Sequence, residues 1–224
     1  MIKLKPIVIV GARMDGHAGV VLDLIAKTKT FKVIGFLDNT PEFKGTYINN
    51  IPVLGSSSNF KTQKFESIIF HIAIGDNAAR GKLFKELTKQ GYEVVSLIHP
   101  SAIVSEKAKI GNGCFIGAGA IINNGSIIND ATIINTGSII EHDNIIGFSA
   151  HMAPGSKTAG RVIVDELAFI GIGATILPDI HIGKAALIGA GSTVVKNVPA
   201  KTTVIGYAAR KHTKNIYRDA KSDN

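Results

Sequence analysis

The chain has 224 residues, of which 45% are hydrophobic and none is tryptophan, so a substantial aliphatic core is expected. The single cysteine, Cys114, excludes an internal disulfide, and no Cys/His spacing typical of structural zinc is present. The net charge of +8 favours anionic ligands, but no basic stripe interleaved with aromatic residues predicts nucleic acid binding. No apolar run is long enough to span a bilayer, so we expect a cytoplasmic protein without membrane insertion.

The first 97 residues alternate short apolar runs with helical segments. This alternation predicts a parallel sheet that binds its ligands at the carboxyl ends of the strands. The polar, Gly/Ser-rich segment 45–59 predicts a loop. The expected strands are 7–10, 32–37, 67–74 and 93–97, and the expected helices are 19–25 and 78–90.

Candidate ligand residues follow three of these strands. Gly11 to Gly19 form a strand–turn–helix junction whose backbone N–H groups suit a phosphate, although a structural tight turn explains the segment equally well. The segment does not match the G-x-G-x-x-G pattern of dinucleotide folds. Asp38 and Asn39 end the second strand, where an acid often binds a ribose but a solvated turn is also common. With Gly75 after the third strand, the set predicts a nucleotide crevice.

From Ile98 onward the sequence repeats every six residues. Ile or Val occupies 15 of 17 positions spaced six apart, and a small residue follows four places later in nearly every hexad. This period fits neither a helix nor an ordinary strand, and it predicts short strands separated by corners, with both of these positions pointing inward. Other residues of the hexad are expected to take positive φ at the corners. These are Gly111, Gly117, Gly125, Asn129, Gly147, Gly171, Gly183 and Gly189.

One corner of the repeat carries the charged triplet Glu141, His142 and Asp143. Ile140 and Asn144 occupy the inward positions of this hexad, so the triplet is expected to face outward. A carboxylate beside a histidine fixes its tautomer and orientation, which is the arrangement of a general base. Taken alone, the triplet fits a solvated polar face slightly better than a catalytic site.

The sequence around this triplet, 134–143, followed by 147–151 and 153–155, resembles the hexapeptide-repeat sugar acetyltransferases. The similarity covers both halves of the chain. It is closest to the bacterial UDP-4-amino-sugar N-acetyltransferases of bacillosamine-type synthesis and to the sialic acid O-acetyltransferases. It implies an α/β, Rossmann-like N-terminal domain with a short parallel sheet, followed by an all-β left-handed parallel β-helix. Three hexads close one coil in this family, so 17 hexads predict between five and six coils.

The resemblance also implies a division of the chain. Residues 1–97 are expected to bind a nucleotide-sugar, residues 98–212 to form the acyltransferase domain, and residues 213–224 to be a flexible tail. The implied enzyme is a homotrimer without metal, in which acetyl-CoA binds as co-substrate between neighbouring β-helices. Its implied reaction is N-acetylation of a nucleotide-linked, UDP-type 4-amino-sugar.

Individual site residues follow from the same resemblance. His142 corresponds to the catalytic base and Asp143 to the acid that supports it, while Asn135 and Glu141 are expected to orient the substrate. His151, Ile172 and Ala190 correspond to acetyl-CoA contacts. The expected nucleotide-sugar contacts are Gly11, Asp15, Gly16, His17, Asp38, Asn39 and Gly75.

The sequence departs from the family pattern at several of these positions. Arg13, Met14 and Asp15 lengthen the glycine turn by two residues, and Asn39 replaces the second acid of a pair. Three alternatives to the N-acetyltransferase remain open. They are O-acetylation of a sugar or sialic acid, a trimeric zinc carbonic anhydrase, and a non-catalytic binding protein.

Overall fold

The computed structural model describes residues 4–57 and 68–206. An α/β domain precedes a three-sided parallel β-helix, in the order that the sequence predicts. Within the described ranges, none of the helices is both long enough and apolar enough to cross a membrane. The tail predicted at 213–224 lies outside the described residues.

The N-terminal domain is a five-stranded sheet of order β3-β4-β2-β1-β5, parallel except for β3. The interior strand β1 is completely buried from Ile7 to Val10, because both faces of a parallel sheet are covered. Its elements are β1 (Lys5–Val10), α1 (His17–Thr28), β2 (Phe31–Leu37), a 3-10 helix (Pro41–Phe43), β3 (Tyr47–Ile48), β4 (Ile51–Gly55), β5 (Ile69–Ile72) and α2 (Asn77–Lys89).

The prediction of a loop at 45–59 was wrong where the segment is described. Strands β3 and β4 form a hairpin there, and β4 extends the parallel sheet beside β2. The hairpin turns at Asn49 and Asn50, both with positive φ, which is the geometry of a tight two-residue turn. Asparagine is one of the few residues that adopt this conformation readily, so the Asn-Asn pair was an available signal.

The strand predicted at 93–97 is not continuous. Val94 forms a single parallel bridge with Phe70 at the edge of the N-terminal sheet. Leu97 already belongs to the β-helix, where it pairs with Phe115. The apolar segment is therefore divided between the two domains.

The β-helix has three parallel sheets, which we call sheets I, II and III. Sheet I contains β6, β9, β12, β15, β18, β21 and β23; sheet II contains β7, β10, β13, β16, β19 and β22; sheet III contains β8, β11, β14, β17 and β20. Paired residues lie 18 apart, as in Ile121 with Ile139, so three hexads make one coil as predicted. The strands are β6 (Leu97–Ile98), β7 (Ile103–Val104), β8 (Lys109–Ile110), β9 (Phe115–Ile116), β10 (Ile121–Ile122), β11 (Ile127–Ile128), β12 (Ile133–Ile134), β13 (Ile139–Ile140), β14 (Ile145–Ile146), β15 (His151–Met152), β16 (Lys157–Thr158), β17 (Ile163–Val164), β18 (Phe169–Ile170), β19 (Thr175–Ile176), β20 (His181–Ile182), β21 (Leu187–Ile188), β22 (Thr193–Val194) and β23 (Thr203–Val204).

The inward positions of the hexad form the core of the β-helix. From Ile116 to Val194 every sixth residue is buried, and the small residue four places later is buried as well. The first coil is less covered, because β6, β7 and β8 are the first described strands of their sheets. Ile98 is 40% exposed there, and Val104 and Ile110 are only partly buried.

The corner prediction was wrong for every residue except Gly125. Positive φ recurs every six residues at a different hexad position, from Gly113 to Gly191, and half of these residues are not glycine. The other predicted glycines are needed because successive coils stack closely. A Cβ added to Gly147, for example, would lie 2.5 Å from the backbone carbon of Asp165. At these other predicted positions, glycine therefore reflects the close approach of the next coil rather than a left-handed backbone.

Candidate active site

A cavity of about 780 Å³ opens at the carboxyl edge of β1, β2 and β5. All seven residues predicted to bind the nucleotide-sugar line this cavity. They are Gly11, Asp15, Gly16, His17, Asp38, Asn39 and Gly75. Strand ends and the start of a helix therefore meet at one crevice, which is where parallel α/β sheets bind ligands.

Asp38 and Asn39 build the wall of this cavity through backbone hydrogen bonds. Asp38 Oδ2 accepts the Ala12 N–H at 2.7 Å, and its Oδ1 accepts the Thr40 N–H at 2.8 Å. Asn39 Oδ1 accepts the Ser57 N–H at 3.0 Å. Both side chains therefore fix the loops that face the ligand space.

The longer glycine turn is closed by local contacts. Arg13 and Asp15 form an ion pair of 2.9 Å, and hydrogen bonding to Arg13 lowers the pKa of the Asp15 carboxyl. The Gly16 N–H donates to the Arg13 carbonyl at 3.2 Å. Both charged side chains are largely exposed, so the pair stabilises the fold little and stays accessible to a ligand.

Helix α2 contributes four lining residues that the sequence analysis missed: Ala79, Lys82, Leu83 and Glu86. The helix begins immediately after Gly75-Asp76, and the Asp76 carboxylate caps it by accepting the Ala79 N–H at 2.7 Å. Its first turns therefore point at the crevice. Lys82 adds a positive charge to a site whose expected ligand carries phosphates.

The predicted base lies on the β-helix, at the corner between sheets II and III. His142 Nδ1 is 2.8 Å from Asp143 Oδ2, and about half of each side chain is exposed. With Nδ1 held by the carboxylate, Nε2 is the nitrogen left for a substrate proton. The predicted pairing of histidine and acid on the outer wall is therefore present.

The backbone beneath this pair is fixed by the buried neighbour Asn144. Its side-chain amide donates to the carbonyls of Glu141, His142 and Ala159, at 2.6, 3.1 and 2.9 Å. Asp143 has a φ of 57°, the left-handed corner conformation, which turns its carboxylate back toward the imidazole. Glu141 has no corresponding bond to the His142 ring among the described contacts, so its predicted orienting role stays a prediction.

His151 and Asn135 lie together on the outer side of sheet I, away from His142. Asn135 Nδ2 is 3.2 Å from His151 Nε2, and the His151 ring packs edge-on against Phe169. His151 is almost completely buried in the single chain. Asn135 is therefore placed to orient His151, whereas its predicted contact with the sugar stays untested.

The remaining predicted acetyl-CoA contacts occupy the corner between sheets I and II. Ile172 and Ala190 are exposed and lie on consecutive coils, and the Gly191 N–H donates to the Ile172 carbonyl at 2.8 Å. Within one chain, the His142 corner, this corner and the cavity of the N-terminal domain are three separate places. In the described part of the chain, no group of three His, Cys, Asp or Glu residues is arranged to hold a metal.

Comparison with known proteins identifies the family. Residues 6–87 match the PglD N-terminal domain. GDP-perosamine N-acetyltransferase of Escherichia coli O157:H7 is 31% identical over 173 residues, which cover 75% of this chain and 77% of the relative. The chain belongs to the hexapeptide-repeat sugar acetyltransferases.

Solved structures of this family agree over both domains. The perosamine N-acetyltransferase PerB of Caulobacter crescentus, solved with CoA and GDP-perosamine, has a TM-score of 0.83 at 36% identity and covers 90% of this chain and 94% of its own. The PglB acetyltransferase domain of Neisseria gonorrhoeae, solved with acetyl-CoA, has a TM-score of 0.84 at 30% identity, with coverage of 91% and 97%. The predicted enzyme class, an acetyl-CoA-dependent amino-sugar N-acetyltransferase, is confirmed.

Three histidines are held neutral where the two domains of this acetyltransferase meet. Burial lowers the pKa of His17 to about 3, and those of His71 and His151 to about 4. Each ring keeps one buried nitrogen without a partner among the described residues: His17 Nε2, His71 Nε2 and His151 Nδ1. Protonating any of them in the folded state would place a new charge in an apolar region beside Arg80.

We therefore expect the protein to lose stability on mild acidification. Between about pH 6.5 and pH 4 the unfolded chain binds protons on these histidines that the folded chain does not, so stability falls as the pH falls through this window. At pH 5 the loss for His71 alone is about 2 kcal/mol. Thermal unfolding followed from pH 7.5 to pH 5 measures the effect. His71→Gln, which cannot be protonated, should show a shallower pH dependence than the native chain, and an unchanged slope would contradict the assignment.

Proposed function

We propose that this enzyme transfers the acetyl group of acetyl-CoA to the amino group of a nucleotide-linked 4-amino-sugar, with His142 as general base. The observation that carries the proposal is the His142–Asp143 pair, which leaves Nε2 free on an outer corner of the β-helix. The cavity at the strand ends of the N-terminal domain supports binding of the nucleotide part.

In the proposed reaction the sugar amine attacks the thioester carbonyl carbon. His142 Nε2 takes a proton from the amine nitrogen as the carbon–nitrogen bond forms, and Asp143 holds the opposite ring nitrogen in the required tautomer. The carbon–sulfur bond then breaks and the coenzyme A thiolate leaves, receiving a proton from His142. No covalent enzyme intermediate is required, since Cys114 is buried in the core and burial raises its pKa to about 11.

The substrate nucleotide is proposed to be GDP, with UDP as the second candidate. The resemblance of the sequence favours UDP. Two relatives that are similar over most of the chain support GDP: the Escherichia coli enzyme at 31% identity is named for GDP-perosamine, and PerB at 36% identity was solved with it. The cavity volume of about 780 Å³ is within the usual range of ligand pockets, and both candidate ligands share the ribose, the diphosphate and a hexose.

We propose a cytoplasmic homotrimer as the working form. In one chain the cavity, His142, and the corner of Ile172 and Ala190 are separate, so a complete site requires a neighbouring copy. Ile127, Ile145 and Ile163 form an exposed apolar ladder along the outer face of sheet III, which suits packing against another β-helix. Sedimentation equilibrium of the full chain tests this assembly.

Turnover of acetyl-CoA tests the proposed function. The enzyme should release free coenzyme A when given a GDP-linked 4-amino-sugar, more slowly with the UDP-linked sugar, and not with the corresponding 4-hydroxy sugar. Mass spectrometry of the product, before and after mild alkali, separates a stable amide from a labile ester. A labile product would support O-acetylation instead, and no turnover with any 4-amino-sugar nucleotide would reject the proposal.

A further inference from the structure

Gly160 lies one coil after His142, at the same corner, and its hexad position is unusual in this chain. Counting two places after each inward residue gives 17 positions from Pro100 to Lys196, and Gly160 is the one glycine among them. Other members of the set carry side chains as different as Phe148 and Pro154. A glycine at this position is therefore not a general requirement of the corner.

The backbone at Gly160 does not require glycine either. Its φ lies outside the left-handed region, which is occupied by its neighbour Arg161. At Gly147 and Gly171 an added Cβ would collide with the backbone of the next coil. At Gly160 the three nearest atoms all belong to the His142 imidazole, with Cε1 and Nε2 both at 2.5 Å.

The imidazole therefore fills the space that a side chain at position 160 would occupy. Asp143 holds the ring on its Nδ1 side, and the surface of Gly160 supports it on its Cε1 and Nε2 side. These two contacts act on opposite parts of the same ring. A methyl group at 160 would leave no room for the imidazole in its present orientation, and a shift of about 1 Å in a reacting group is enough to slow catalysis strongly.

We propose that Gly160 is a positioning residue for the His142 base: its missing side chain fixes where Nε2 is presented to the substrate amine. The inference rests on the proposed function for the role of His142. The placement of the ring itself is a structural property, which is measured without substrate.

The first experiment is Gly160→Ala in the full chain, with Ala118→Ser as the matched control. Ala118→Ser also adds one heavy atom at the same hexad position, but at the corner between sheets I and II, three coils before the predicted acetyl-CoA contact Ile172. Gly160→Ala should lower kcat by about 10- to 100-fold with little change in KM for acetyl-CoA and in Tm, whereas the control should leave kcat unchanged. Native kcat in Gly160→Ala would overturn the proposal.

A double-mutant cycle separates positioning from a direct role of Gly160. In the His142→Ala background, Gly160→Ala should cause no further loss of kcat, because its effect passes through the imidazole. An equal loss in both backgrounds would mean that Gly160 acts on acetyl-CoA or on the fold, and would overturn the proposal.

A measurement without substrate tests the steric role of Gly160 separately from the proposed role of His142 as the base. The imidazole NMR signals of His142, assigned by their disappearance in His142→Ala, should move in Gly160→Ala and stay in place in Ala118→Ser. Unmoved signals in Gly160→Ala would reject the positioning role. If the signals move but His142→Ala keeps native kcat, the proposed base is wrong while the steric relationship holds.

Discussion

Replacing His142 with alanine should lower kcat by about 10²- to 10⁴-fold, the range expected when a general base is removed. The amine nitrogen must lose a proton as it attacks the thioester, and Nε2 of the Asp143-bound imidazole is the acceptor placed for it. KM for acetyl-CoA should change little, because His142 is assigned to the sugar side of the reaction. Steady-state kinetics with saturating nucleotide-sugar measure both constants.

His181 provides a matched control for this variant. Its Nε2 is 2.9 Å from Asp165 Oδ2, and the pair is about as exposed as His142 with Asp143, but it lies on the outer face of sheet III. His181→Ala removes the same chemical group from a similar pair. Because His181 pairs with Ile163 on the face proposed to contact another copy, sedimentation equilibrium should first show an unchanged assembly, and kcat should then be unchanged. Near-native kcat of His142→Ala from about pH 6 to about pH 9 would show that His142 is not the base.

Most of the β-helix could be predicted from the sequence, because each hexad forms one strand and one corner. The inward residues follow directly from the period, as the buried series from Ile116 to Val194 shows. The φ values could not be predicted from the period, since a glycine at a corner either adopts positive φ or allows the next coil to stack closely. The sequence does not distinguish Gly147 from Gly113. The structure shows that Gly147 avoids a collision with the next coil, whereas Gly113 has a positive φ.

The sequence predicted the strand-end residues of the nucleotide crevice but not the residues that helix α2 adds to it. Parallel strands end at the same edge, so Gly11, Asp38 and Gly75 were expected to meet, and they do. Lys82 was missed because the face that a short helix turns toward a crevice depends on tertiary packing. The role proposed for Gly160 also needed coordinates, since it depends on which side chain occupies the next coil.

The burial of Arg80 could not be predicted from the sequence either. A lone arginine in an amphipathic helix is normally expected at the surface, yet this one is only 1% exposed and lies between the domains. Its Nε donates to the Ala131 carbonyl at 2.7 Å, and its terminal nitrogens donate to the carbonyls of Ile74, Gly75, Ser149 and Ala150. Burial lowers its pKa to about 10, so it remains charged at neutral pH.

Arg80→Met should therefore destabilise the protein by about 3–5 kcal/mol, although it preserves most of the apolar volume. The loss arises because five backbone carbonyls, some in the cavity loop and some in the β-helix, would lose their donor together. Chemical denaturation measures the change. Arg161→Met is the matched control: Arg161 bonds Asp179 through both Nε and a terminal nitrogen, but the pair is exposed, so its removal should cost less than about 1 kcal/mol. Equal losses in the two variants would mean that the buried carbonyls find other donors and that Arg80 does not hold the cavity loop against the β-helix.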